Sequence, residues 1–357
     1  MLRQKDVAAV APTQERAAMV TTLKRHVRGI YYRWAGIMFS ACQPAPKPML
    51  GASAEVREVW IGLTEHLGDI VACGPIASYL KECYPGAIVV WVTQGAYLEV
   101  ATSTPDVDRV IVVECLRQWV SWRDEAGKGV VIVDLHVSRK RCSHCGYKLK
   151  KSSGNLRINR YNYGYYGSLL SAFSQAAGLP ALANGPRLVV GRHIEERIAA
   201  VGLPTRFMVI HRSGGGRGAE KEWGWGQWRA LASAVYNESG IETVEIGAEG
   251  DKAVCPPLCP GTPLHDLRGR LTIMEAAAVI RKALLFVGID SGPSHLANAV
   301  GTPGILLLGE LPPFGAFMPF SGGYAGLNAT RIYHRSLVRQ IPYERVYEAV
   351  LRRLAVS

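Results

Sequence analysis

Apolar residues in this chain fall into short runs broken by glycine, proline and polar clusters. The runs form two alternating series of strands and helices. Residues 57–63 (REVWIGL) read as a strand running into the turn TEHLGD. Residues 75–85 show helical spacing that stops at Pro85, and 87–93 form a second strand. A helix over 97–105, a strand over 107–114 and a buried-looking strand over 129–136 follow. After a basic, Tyr- and Gly-rich stretch, 169–180 reads as a helix ended by Gly178 and Pro180. The pattern restarts with a strand over 206–214, a helix over 227–240 and a strand and turn over 242–251. It continues with a helix over 274–283, a strand over 284–290, a helix over 291–301, a strand over 304–310 and a terminal helix over 341–355. Strands separated by helices imply parallel βαβ units. The expected fold class is therefore α/β, with two Rossmann-like domains facing a cleft and an N-terminal extension. The domain division is 1–50 for the extension, 51–200 for the first domain and 201–357 for the second. Ligands of such sheets bind at the carboxyl ends of the strands, which here would face the cleft.

Length and composition agree with this. The chain has 357 residues, enough for two ordinary domains, with 48% hydrophobic and 20% charged residues. Collagen, general disorder and a simple coiled coil are disfavoured. The formal charge of +12 favours anionic partners. It is uneven, because residues 135–194 contain no acidic residue while Arg139, Lys140, Arg141, Lys148, Lys150, Lys151, Arg157 and Arg160 cluster early in that stretch. Two readings stand: a solvated loop or an anion-recognition surface. The N-terminus lacks an apolar core followed by a cleavage site, and no run reaches the roughly 18 apolar residues needed to span a bilayer. Residues 12–34 can form a basic helix, and the apolar stretch 30–39 with basic flanks would either lie at a membrane interface or dock on the body. A cytoplasmic protein is expected, with peripheral contact at the inner membrane face left open.

Three stretches carry candidate chemistry. In 63–71, Gly68 can bring a loop close to a ligand. Asp69 at the helix entrance is either an N-cap or a base that takes a proton from an attacking hydroxyl. In 211–228, consecutive glycines including Gly216 expose N–H groups able to cradle phosphate, and Arg217 and Lys221 could neutralise it. This is neither the dinucleotide fingerprint nor a P-loop. In 290–310, a buried strand ends at Asp290, Ser291 and Gly292 make a turn, and a helix carries His295 near its start. Helix-start amides favour an anionic ligand. Ser291 could donate to phosphate, and His295 could donate or act as a general acid.

These residues resemble those of glycosyltransferase family 9, the ADP-heptose lipopolysaccharide heptosyltransferases and their relatives. Gly68–Asp69, Lys221–Trp223 and the DSGPSH run Asp290–His295 occur in the family's order and approximate spacing. The resemblance implies the two-domain glycosyltransferase B fold, a nucleotide sugar bound mostly by the C-terminal domain and an acceptor held by the N-terminal one. It implies Asp69 as catalytic base, Lys221 against the donor phosphates, and Asp290, Ser291, Gly292 and His295 as the pyrophosphate loop, with Gly68, Gly216 and Arg217 beside them. Asp251 falls where several relatives hold the nucleoside sugar with a glutamate. Gly216 and Arg217 depart from the small hydroxyl residues common there.

Cys142 and Cys145 form a CxxC pair, and Cys255 and Cys259 a CxxxC pair. Four thiolates would suit tetrahedral zinc or iron. A subgroup of the family, the bacterial autotransporter heptosyltransferases, has an iron site of such spacing. A shared site, a one-pair site and ordinary reduced thiols all stay open. The implied activity is an inverting transfer of heptose, or a related sugar, from ADP-heptose or another nucleotide sugar to a hydroxyl of an anionic glycan or protein acceptor. Lipopolysaccharide synthesis and protein glycosylation are both compatible, as is a homo-oligomer. The rival reading is a non-enzymatic binder of nucleic acid or anionic surfaces, which leaves Asp69, Lys221 and Asp290–His295 unexplained.

Overall fold

The computed structural model describes residues 56–152, 154–214, 221–255, 264–311 and 314–355. The extension 1–50, its helix over 12–34 and the apolar stretch 30–39 lie outside the described residues.

The first lobe is built from β1 (Glu58–Gly62), α1 (Leu67–Cys73), α2 (Pro75–Cys83), β2 (Ile88–Gln94), α3 (Leu98–Thr102), β3 (Arg109–Val113), α4 (Leu116–Asp124), β4 (Val130–Asp134) and α5 (Leu169–Ala176). Its four strands are all parallel, in the order β3-β2-β1-β4. The second lobe contains α6 (Arg192–Ala199), β5 (Phe207–His211), α7 (Trp225–Ser239), β6 (Glu242–Glu245), α8 (Asp251–Val254), β7 (Leu264–Asp266), α9 (Ile273–Lys282), β8 (Leu285–Ile289), α10 (Gly292–Val300), β9 (Gly304–Leu308), β10 (Ala329–Tyr333) and α11 (Tyr343–Leu354). Its six strands are parallel in the order β10-β9-β8-β5-β6-β7. Every residue of β5, β8 and β9 is buried, because helices cover both faces of the sheet, so these strands are continuous apolar runs without alternation.

The expected α/β architecture therefore holds, with two parallel sheets. Two helices stop where the sequence places a glycine. Gly240 (φ 67°) after α7 and Gly301 (φ 81°) after α10 adopt the left-handed conformation that closes a helix at little cost. Five elements were not anticipated: α4, α6, α8, β7 and β10. Helix α4 buries only Leu116 and Trp119, and α6 only Ile194 and Ile198, stripes too narrow to stand out in a polar stretch. Strand β7 is three residues long, and β10 is half exposed at the sheet edge.

In both sheets the first strand of the lobe lies beside the fourth, β1 beside β4 and β5 beside β8. The chain leaves these neighbours in opposite directions, so a crevice opens at their carboxyl ends. The lobes meet through α1 and α10, and one apolar cluster runs through both, from Ile61 and Ile70 to Phe286 and Leu296. Helix α6 is tied to α9 by Arg197–Glu275 (3.1 Å) and Arg281–Glu195.

Candidate active site

The loop from β1 to α1 is held by a buried chain of polar groups. Backbone N–H of Thr64 donates to His136 Nε2 (3.1 Å), and the Thr64 hydroxyl lies 3.0 Å from the same nitrogen. Nε2 is thus an acceptor, and the ring proton sits on Nδ1, 2.7 Å from Asp134 Oδ1. The same oxygen accepts from Trp119 Nε1 (3.1 Å), and Asp134 Oδ2 from Arg123 Nη1 (2.6 Å). Burial raises the Asp134 carboxyl, but His136 and Arg123 outweigh it and hold it below the ordinary range. Gly62 leaves room for the Trp119 ring, which a Cβ would meet at 2.1 Å. Thus the loops after β1 and β4 are fixed to each other. His66, at φ 70°, then turns the chain into α1, a conformation unusual for a side-chain-bearing residue.

Asp69 stands in the first turn of α1, whose N-cap is His66, so the N-cap reading of Asp69 does not hold. Its carboxylate has no hydrogen-bond partner among the described residues. Burial pushes its pKa up to about 6. Lys140 and Lys221 draw it down, and Asp290 and Glu65 push it up.

The opposite wall comes from the second lobe. After β8, Asp290 accepts from Lys221 Nζ at its Oδ2 (2.6 Å) and its carbonyl (3.0 Å). Ser291 starts α10 without a side-chain cap on its own helix. Its hydroxyl instead lies 3.0 Å from His211 Nδ1 and 3.2 Å from the Ile289 carbonyl. The start of α10, where the Ser291 N–H donates to Ser294 Oγ (3.0 Å), lines the cleft, and helix-start amides favour an anionic ligand.

Two glycines let the walls touch. A Cβ on Gly68 would lie 2.9 Å from His295 Cδ2, and one on Gly292 would lie 2.8 Å from Leu67 Cδ2. Gly68 therefore serves the lobe contact as well as the cleft. His295 is buried against Phe320, with ring centroids 4.5 Å apart, and burial lowers its pKa to about 4. At neutral pH it is therefore a neutral ring that can donate one N–H. Its Nδ1 has no partner, and is the one imidazole nitrogen so left among the buried side chains described.

One cleft of about 1070 Å³ collects Gly68, Asp69, Lys221, Asp290, Ser291, Gly292 and His295. Lys140, Arg141 and Arg160 of the basic stretch line it too, as do the aromatic residues Tyr161, Tyr163, Phe314 and Phe317. The basic cluster is thus partly a wall of the cleft. The aromatic residues were missed, because 163 and 314–317 are far apart in sequence and meet only as packed rings, 4.8 Å between the centroids of Tyr163 and Phe314. Gly216 and Arg217 lie outside the described residues.

Asp251 does not line the cleft. It sits behind Ser291, with its Oδ2 3.8 Å from His211 Nε2 and 2.7 Å from the Ala248 N–H. Burial raises this carboxyl, but the nearby His211 and Ser213 side chains and the Ala248 N–H bring it down to about 2. His211 was overlooked, although it is the polar end of an otherwise apolar strand.

The described cysteines of the two pairs lie in different lobes. Cys142 and Cys145 line the cleft in the first lobe, where the third thiol near Cys145 is Cys115. Cys255 follows α8 in the second lobe, where its carbonyl accepts from Arg268 Nη1 (2.5 Å), and Cys259 lies outside the described residues. Among the described residues no three His, Cys, Asp or Glu side chains group as a metal site. Of the readings left open by the spacing, the shared iron or zinc site finds no support among the described residues, where Cys142 and Cys145 stand in the first lobe and Cys255 in the second. Glu65, also unforeseen, accepts from the Ser143 N–H (3.1 and 3.2 Å) and lies 3.5 Å from Lys140 Nζ. Burial raises its carboxyl, while Cys142, Lys140 and Ser143 outweigh that and hold it below the ordinary range.

Residues 168–326 match the model of glycosyltransferase family 9 (heptosyltransferase). Lipopolysaccharide heptosyltransferase 3 of Escherichia coli is 29% identical over 122 residues, 33% of this chain and 35% of that protein. The chain is thus matched over about a third of that relative's length. The solved glycosyl transferase family 9 structure from Veillonella parvula superposes with a TM-score of 0.66 at 18% identity, covering 85% of this chain and 98% of that one. The dodecameric iron-containing heptosyltransferase TibC of enterotoxigenic E. coli, solved with ADP-D-beta-D-heptose, gives 0.55 at 15% identity, with 85% and 77% covered. These likenesses establish the glycosyltransferase-B-like fold. The matched segment, under half of the chain, resembles glycosyltransferase family 9 (heptosyltransferase), and the whole chain shares the fold of that family's solved members.

Proposed function

We propose that this chain is an inverting glycosyltransferase that moves a heptose, or a related sugar, from an ADP-sugar to a hydroxyl of an anionic glycan or protein acceptor. The observation that carries the reading is the position of Asp69: an unpaired, partly desolvated carboxylate in one cleft with Lys221, Asp290 and the start of α10. In this reading the second lobe holds the donor and the first the acceptor. Asp69 takes the acceptor hydroxyl proton as the oxygen forms its bond to the anomeric carbon from the face opposite the diphosphate. The carbon–oxygen bond to the diphosphate breaks, and ADP leaves with the electron pair. Lys221, the Ser291 hydroxyl and the α10 amides stabilise the charge that develops on it, where fixed donors in a cleft act most strongly.

Lys140, Arg141 and Arg160 support an acceptor carrying negative charge. The same placement weakens the rival reading as a nucleic-acid binder, because three of the residues that motivated it face the cleft. The resemblance to lipopolysaccharide heptosyltransferases supports lipopolysaccharide synthesis as the setting, with protein glycosylation as the alternative acceptor class. A nucleotide-sugar donor suits an enzyme of the cytoplasm, with the basic surface suited to the inner membrane face. No described helix is long and apolar enough to cross a membrane.

The test is calorimetry of the purified chain against ADP and ADP-heptose, with transfer assayed on the same samples. ADP binds, Asp69→Asn keeps that affinity, and transfer in the variant falls by about 10²–10⁴-fold, the range for loss of a general base. Wild-type turnover in Asp69→Asn would remove Asp69 from the mechanism. Absence of nucleotide binding in the folded chain would remove the donor reading.

A further inference from the structure

Behind the cleft wall, three side chains form a line that the transfer chemistry does not by itself require: Asp251, His211 and Ser291. It mirrors the first lobe, where Asp134, His136 and Thr64 join the loops after β4 and β1. In the second lobe the chain joins the loop after β8 to the end of β5, again across the pair of strands where the sheet opens. The two differ at the hydroxyl end. Thr64 is fully buried, whereas Ser291 lines the cleft.

The Asp251 carboxylate faces His211 Nε2 at 3.8 Å, too long for a full hydrogen bond but close enough to favour the ring proton there. Nδ1, 3.0 Å from Ser291 Oγ, is then an acceptor, and the Ser291 hydroxyl proton points back at His211 or at the Ile289 carbonyl. In that state Ser291 offers the cleft only lone pairs, the wrong polarity for a phosphate oxygen. When the hydroxyl turns its proton to a phosphate, the lone pairs of Oγ and Nδ1 are left facing each other. A proton on Nδ1 converts that repulsion into an N–H···O bond and adds a positive charge behind the anion, balanced by Asp251.

The other charged groups nearby are already matched. Asp290, next to Ser291, is paired with Lys221 at 2.6 Å, and Arg212, next to His211, with Glu245 at 2.7 Å. Glu245 also faces Arg268 at 3.4 Å.

We propose that His211, held by Asp251, is a positioning residue that takes up a proton when a nucleoside diphosphate binds, so releasing the Ser291 hydroxyl to the phosphate. The inference rests on the donor reading above. It is tested by calorimetry of ADP binding at pH 8 in buffers of differing ionisation enthalpy, which reports protons taken from the buffer. The full chain takes up roughly one proton per ADP bound, as linkage requires when a group gains its proton only in the complex. His211→Asn supplies a fixed N–H toward Ser291 and binds ADP with no uptake. His211→Ala supplies none and binds about tenfold more weakly, the loss of one charge-assisted hydrogen bond. ADP binding with no proton uptake in the unmodified chain, or equal uptake in His211→Asn, overturns the role of His211 and leaves the donor reading standing. No ADP binding by the folded unmodified chain overturns both.

Discussion

A carboxylate in the first turn of a helix ordinarily has backbone amides or a cation to bond, yet Asp69 has no such bond among the described residues. Its pKa of about 6 lies above the ordinary 3.8, so it is protonated and inactive as a base at acid pH and ionised above neutrality. The kcat/KM of transfer therefore rises with pH through a limb near 6, and that limb disappears in the residual activity of Asp69→Asn. A profile flat from pH 5 to 8 in the unmodified chain would count against Asp69 as base. Asp251 works in the opposite direction. Its folded pKa of about 2 lies below the ordinary 3.8. The stability it contributes is complete above that ordinary value and is lost as the pH falls toward 2. Urea unfolding between pH 5 and 2.5 shows this loss, and Asp251→Asn, already less stable at pH 5, shows a shallower decline. Both residues were legible in the sequence as chemistry-bearing positions. Their environments were not, because desolvation comes from residues remote in the chain.

At the scale of elements, the contact between α1 and α10 decides whether the site is assembled. Gly68 and Gly292 allow these helix starts to abut, and a Cβ added at either would find its nearest neighbour at 2.9 or 2.8 Å. His295 and Leu67 are wedged against neighbours and have little room to yield. Gly68→Ala and Gly292→Ala each destabilise by about 1–3 kcal/mol, the cost of overpacking, with transfer reduced as well. Gly226, exposed near the start of α7, is the contrast: nothing lies within 4 Å of its added Cβ. Gly226→Ala raises stability by about 0.5–1 kcal/mol, because a helical glycine carries extra unfolded-state entropy. Denaturant midpoints for the three variants measure the difference in sign. The DSGPSH run showed its turn and helix in the sequence, since a buried strand, a glycine turn and a Gly301 stop are local signals. That Gly68 faces His295 depends on how two helices far apart in the chain pack, and no local signal carries it.

The whole molecule brings acid-free and acid-containing segments to one cleft. Lys140, Arg141 and Arg160 sit across from the donor-side motifs. Replacing all three by alanine raises the acceptor KM while the affinity for ADP stays within about twofold, since surface charges act mainly on encounter and orientation. Added salt raises the acceptor KM of the unmodified chain in the same direction and has less effect on the variant. Steady-state kinetics with each substrate varied separately distinguishes this from a general loss of fold.

By itself the sequence determined the α/β class, the two series of strands and helices, the helix stops at glycine and the three motifs that resemble those of glycosyltransferase family 9. Each of these depends on interactions within a few residues, so each leaves a mark in a short window. Tertiary structure alone decided which of the motif residues share a cleft and what charge they carry there. It turned Asp251 inward to His211, buried His295 as a neutral ring, and brought Tyr163 to Phe314. It also carried Cys142 and Cys255 to different lobes, a separation that the spacing of the cysteines does not show. Spacing along a chain fixes what one loop can reach. The packing of two sheets fixes what two loops can reach together.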